Sequence, residues 1–150
     1  MPLNPHPYPL PWEREEDSML RRINLSAAII VLVCFFLPWE QVSCGGARDT
    51  LTGIDLARDH TVLWLVPLAM AIAIVIGLSL LRKEPEMFAI VSMICGAVAA
   101  YLMNRERMRV NDEAGVIAVQ LTGWFWLAFI LSLVEIGTAI GVLLRRQRAP

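Results

Sequence analysis

LTGWFWLAFILSLVEIGTAIGVLL, residues 121–144, carries one charged side chain, Glu135, in 24 residues. At ~1.5 Å of rise per residue, a helix of that length reaches ~36 Å, enough to cross a hydrocarbon core ~30 Å thick. Apolar side chains occupy every face of such a helix, so it has no surface suited to water.

Working outward, three further apolar runs appear, over residues 23–39, 61–81 and 87–103, none with a charged residue. The chain is 57% hydrophobic with a mean hydropathy of +0.57, more apolar material than a soluble core of 150 residues buries. No segment alternates with period two over ten residues, which excludes a membrane β-barrel. The first run has a basic flank, Arg21 and Arg22, but ends in Phe35-Phe36-Leu37-Pro38-Trp39 and not in a small-residue cleavage site, so it reads as a retained helix. The expected fold is an all-α membrane protein, a four-transmembrane-helix up-down bundle with short loops over residues 21–150. A proline-rich arm, residues 1–20, precedes it.

Eight Lys or Arg fall on one side (Arg14, Arg21, Arg22, Arg82, Lys83, Arg145, Arg146, Arg148) and five on the other (Arg48, Arg58, Arg105, Arg107, Arg109). Positive residues stay inside, which places both termini in the cytoplasm. Trp39, Trp64, Tyr101, Trp124 and Trp126 gather at the opposite ends of the runs, where amphipathic rings favour the headgroup level. In the arm, Pro2, Pro5, Pro7, Pro9 and Pro11 predict extended chain through residue 17, with Tyr8 and Trp12 as apolar anchors on a partner or on the bundle. The first outer loop, residues 40–60, reads as a cap or docking surface, with residues 51–57 as a short amphipathic segment on the membrane surface.

Catalytic and cofactor signatures are absent from the sequence. Cys34, Cys44 and Cys95 form no Cys-x-x-Cys pair, and the two histidines, His6 and His60, sit outside the runs, which removes a bis-His haem. His60 with Asp55 and Asp59 offers a cation ligand set, against which stands a solvated loop. The expectation is no enzyme, no cofactor and no metal. A net charge of -1 without a basic face gives no reason to expect nucleic acid.

Small residues recur at every fourth position: Ala69, Ala73 and Gly77; Ser92, Gly96 and Ala100; Gly137 and Gly141. In lipid, such stripes let helix backbones approach closely. On the fourth helix Glu135 shares a stripe with Ala128, Ser132 and Ala139, while Gly137 lies 200° away at ~100° per residue and opens a second seam for another subunit. Glu135 sits ~13 Å inside the cytoplasmic end, where a charge costs at least ~2.5 kcal/mol. It is therefore expected to be neutral or paired, with Ser79 and Ser92 as hydroxyl partners. A proton-relay or partner-contact role is the alternative.

The strings Leu37-Pro38-Trp39, Ser43-Cys44-Gly45-Gly46 and Leu51-Thr52-Gly53-Ile54-Asp55-Leu56-Ala57 resemble small uncharacterised bacterial four-span inner-membrane proteins. The likeness covers the first helix and outer loop, and it implies the bacterial cytoplasmic membrane without implying an activity. Four spans with a longer first loop also resemble claudins, whose paired loop cysteines are missing here. The functional expectation is a non-catalytic accessory or scaffolding subunit of a larger bacterial membrane complex of the energy-transducing kind. It would contact membrane lipids and other membrane subunits or further copies of itself. The alternative is a small transporter or proton-linked membrane protein that uses Glu135.

With this topology, a membrane-impermeant thiol reagent applied to intact cells labels Cys44 and leaves a cysteine introduced by Gln147→Cys unlabelled. The reverse pattern overturns the orientation.

Overall fold

The computed structural model describes residues 11–44, 47–80, 85–113 and 118–148. Helix α1 (Pro11–Cys34) leads into strands β1 (Pro38–Cys44) and β2 (Ala47–Thr52), then the short helix α2 (Gly53–Asp59) and a 3-10 turn (Thr61–Trp64). Helices α3 (Leu65–Leu80) and α4 (Pro85–Glu113), strand β3 (Ala118–Leu121) and helix α5 (Gly123–Arg148) follow. The long helices form a ring in which α1 and α4 each pack against both α3 and α5.

Among the described residues, three segments are long and apolar enough to cross a membrane: Thr61–Ser79, Glu86–Asp112 and Gly123–Arg145. The first apolar run, residues 23–39, does not stay helical to its end. After Cys34 the ladder tightens, with Phe36 N–H donating to Val33 and Leu37 N–H to Cys34 at 3.1 Å or less, and Pro38 has no N–H to continue it. Trp39 then belongs to β1, so α1 is helical over only the first twelve residues of its apolar run.

The expectation of an all-α chain is corrected by a three-stranded antiparallel sheet in the order β2-β1-β3. The strands are only four to seven residues long, too short to give a period-two signal over ten residues. Register shifts between Pro38 and Glu40 where β1 meets β2, which turns Trp39 inward. Its indole is fully buried, edge-on to Phe35 and Phe125 with ring centroids 5.4 and 5.5 Å away, and Nε1 donates to the Cys34 carbonyl at 2.7 Å. Trp39 is therefore no part of an interfacial belt, whereas Trp64, Tyr101, Trp124 and Trp126 are exposed.

Four boundaries also move. Residues 11–17 are helical and not extended, because Pro11 opens α1 in the first turn, where its missing N–H costs nothing. Residues 1–10, including Tyr8, lie outside the described residues. Helix α4 runs ten residues past Met103, so Arg105, Arg107 and Arg109 stand on a helix and not in a loop. Leu121 closes β3, and α5 starts at Gly123. Lastly, residues 51–57 divide between the end of β2 and α2, and Leu56 and Ala57 are buried in the chain's own core, in one cluster with Leu63, Val66 and Phe125.

Helix α2 is anchored by a capping box. The Thr52 backbone N–H and hydroxyl donate to Asp55 Oδ2 at 3.0 and 2.7 Å, and Asp55 N–H donates back to the Thr52 hydroxyl at 3.2 Å. Gly53 follows because a Cβ there would lie 2.5 Å from the Phe35 carbonyl. The hydrogen bond from the Thr52 side chain, then that from its backbone, hold the Asp55 carboxyl below the usual range. A carboxyl with a lower pKa folded than unfolded stabilises above the unfolded value, ~3.9, and loses that contribution as pH falls through the folded value. Amide protection across α2 should therefore be full at neutral pH and fall only in acid. In Thr52→Ala the fall should move to higher pH, as read by hydrogen exchange.

Candidate intramembrane polar site

Glu135 projects from the middle of α5 into the ring of helices and is wholly buried, together with Ala128, Ser132 and Ala139 of the same stripe. The expected inward face is thus observed. Of the two hydroxyl partners proposed from the sequence, Ser92 on α4 is present, its Oγ 3.0 Å from Glu135 Oε1. Ser79 is exposed on α3 and takes no part.

Two further members come from residues the sequence reading passed over. Asn24, buried on α1, donates through Nδ2 to the Glu135 backbone carbonyl and to Thr138 Oγ1, both at 2.9 Å. Its Oδ1 accepts from Ser92 Oγ. Thr138 in turn donates toward the Val134 and Glu135 carbonyls at 3.0 Å. Asn24 was legible in principle as the lone amide at the start of an apolar run, but an uncharged residue does not interrupt a hydropathy window. Three helices thus meet at one polar cluster, whose remaining oxygen, Glu135 Oε2, has no hydrogen-bond partner.

Close packing brings these groups together. A Cβ at Gly96 on α4 would lie 3.2 Å from the Ser132 carbonyl and 3.1 Å from Ile136, so any side chain there presses on α5, and glycine favours the close approach of the two helices. At Gly77 on α3 a Cβ would meet Phe88 at 3.1 Å and Leu25 at 3.2 Å. The stripes Ala69, Ala73, Gly77 and Ser92, Gly96, Ala100 are buried and serve contacts within the chain. Gly137 is different: it is exposed, and a Cβ there meets nothing within 4 Å. Gly141 lies at the α1 edge, where a Cβ would come 4.0 Å from Leu20. Trp12 falls in the first turn of α1, and its side chain lies outside the described residues.

A second polar group sits where α4 meets the sheet. Arg109 reaches Glu40 of β1 at 3.3 Å and Glu106 at 2.8 Å, and both carboxylates are buried. Beside it a cleft of about 360 Å³ is lined by Asp59, His60, Thr61, Arg105, Glu106 and Arg109 among others. The Asp55 carboxylate proposed with His60 and Asp59 as a cation ligand is engaged by Thr52, with Arg58 3.9 Å away. Among the described residues, no three His, Cys, Asp or Glu side chains gather at metal-ligating spacing. The chain matches no protein-family model, no curated protein and no solved structure.

The two exposed and buried glycines give opposite expectations. Gly96→Leu should destabilise the bundle by roughly 1–3 kcal/mol through overpacking, whereas Gly137→Leu should leave thermal stability unchanged. Thermal melts of the detergent-purified protein compare them.

Proposed function

We propose that the chain is a non-catalytic accessory subunit that scaffolds a larger assembly in a bacterial cytoplasmic membrane, of the energy-transducing kind. In this reading it crosses the bilayer four times with both termini in the cytoplasm. Helix α1 supplies the fourth crossing: Ile23, Ile29, Ile30 and Val33 on it, and Phe36 in the turn after it, are exposed apolar side chains. Only residues 23–34 of its 24 are the apolar part, ~18 Å of helix, so in this reading the turn that follows and Trp39 complete the crossing.

The observation that carries the scaffold reading is Gly137. The other small-residue stripes are used up inside the chain, but this one opens outward on α5 among the exposed side chains Leu133, Val134, Ile140 and Leu144. A glycine among large apolar neighbours makes a notch that fits the backbone of another membrane helix. Gly137 and Gly141 are accordingly assigned to partner contact, with Tyr8 and Trp12 of the N-terminal arm as a second contact on the cytoplasmic side.

A proton-linked function is the second reading, favoured by the unpartnered oxygen of Glu135 in a fully buried site. One set of variants separates the two. Under the scaffold reading, Gly137→Leu with Gly141→Leu loses its co-purifying subunits in mild detergent, while Glu135→Gln retains them and full complex activity. Under the proton-linked reading, Glu135→Gln abolishes activity in an intact assembly. A monodisperse monomer without partners in the unmodified chain overturns the scaffold.

A further inference from the structure

The cluster around Glu135 can be solved for its protons. The Glu135 backbone carbonyl can only accept, so the Asn24 amide must present Nδ2 to it, which leaves Oδ1 facing Ser92. Oδ1 is also an acceptor only, and the Ser92 hydroxyl has one proton, which goes to Asn24. Ser92 Oγ then faces Glu135 Oε1 at 3.0 Å with a lone pair. Two oxygens at that distance require a proton between them, and the Ser92 proton is already committed. Thr138 supplies none, because its hydroxyl points at the Val134 and Glu135 carbonyls.

From this count we infer that Glu135, Ser92 and Asn24 form a proton-binding site whose occupancy controls how tightly α1 is held. The carboxylic acid donates from Oε1 to Ser92, Ser92 donates to Asn24, and Asn24 donates across to α5. The chain of donors has one direction only. When the proton leaves Glu135, the Ser92 hydroxyl turns to the carboxylate, the stronger acceptor, and Asn24 Oδ1 loses its one donor among the described residues. The side-chain bond joining α1 to α4 is then gone, while the bonds from Asn24 to α5 remain. Glu135 Oε2 is buried and has no hydrogen-bond partner, so the acid proton is held on the Oε1 side.

Few other groups act on the site. Helix α3 has no titratable residue, and α5 has none besides Glu135 between Gly123 and Leu144. From α4 the neighbouring titratable side chain is Cys95, one turn after Ser92, and α1 brings Arg21 one turn before Asn24. The proton site stands whether or not the chain is a subunit, since it is built within one chain.

The experiment uses the full chain in lipid bilayers and reads the carboxylic acid carbonyl stretch by infrared spectroscopy as a function of pH. A band at neutral pH that is absent in Glu135→Gln is the expected result. In Asn24→Leu, Ser92 is free to donate to the carboxylate, so the band should vanish at lower pH than in the unmodified chain. Hydrogen exchange over residues 18–34, corrected for the chemical rate, should speed up roughly tenfold as the band disappears, the scale of one lost hydrogen bond. In Glu135→Gln it should not respond to pH. The absence of the band at neutral pH in the unmodified chain overturns the inference even if neither variant folds. A midpoint that Asn24→Leu leaves unchanged or raises overturns the directed chain of donors.

Discussion

The indole of Trp39, driven into the core with its N–H on the last carbonyl of α1, is the contact on which the architecture turns. A helix end in an apolar setting leaves carbonyls without partners, and each costs free energy unless something donates to it. Trp39 meets that need while supplying the largest buried side chain at the junction of bundle and sheet. Around it close Phe35 from the end of α1, Phe125 from the start of α5, and Gly53, which is pressed against the Phe35 carbonyl. Thr122 completes the joint: its backbone N–H donates to the Trp39 carbonyl at 2.9 Å and its hydroxyl to Pro38. The strings Leu37-Pro38-Trp39 and Leu51-Thr52-Gly53-Ile54-Asp55-Leu56-Ala57 are brought together by the pairing of β1 with β2 and belong to one packed unit.

The membrane character of the chain was legible because hydropathy averages over whole segments and tolerates local error. Residues 61–81 and 121–144 coincide with helices to within a few residues for that reason. What hydropathy does not register is backbone direction: Phe35, Phe36, Leu37 and Trp39 are as apolar as the helix before them, yet they belong to a turn and a strand. Nor does it register charge that is internally paired. Arg105, Glu106, Arg107 and Arg109 resemble a loop in a hydropathy profile, although Glu106 and Arg109 at spacing three are neighbours on a helix face.

The candidate site was half legible, and the missing half is instructive. Glu135 is conspicuous because a charged residue type interrupts an apolar run, and its stripe could be projected inward from 100° geometry alone. Ser92 followed from depth. Asn24 and Thr138 did not, since their role depends on α1 and α5 lying side by side, and pairing between helices 111 residues apart leaves no local trace in sequence. The small-residue stripes show the same limit: all three have the same spacing, but only tertiary contacts separate the two that close the bundle from the one that opens outward.

Helix α4 is 29 residues long, a rod of ~43 Å, which exceeds a ~30 Å hydrocarbon layer by about two turns. It is gripped in two places: at Ser92 by the polar cluster, and 17 residues further on at Arg109 by the buried carboxylate of the central strand. Because one stiff helix carries both contacts ~25 Å apart, it sets the depth of Ser92 in the bundle and the position of Arg109 against the sheet together, so the two polar clusters share one register.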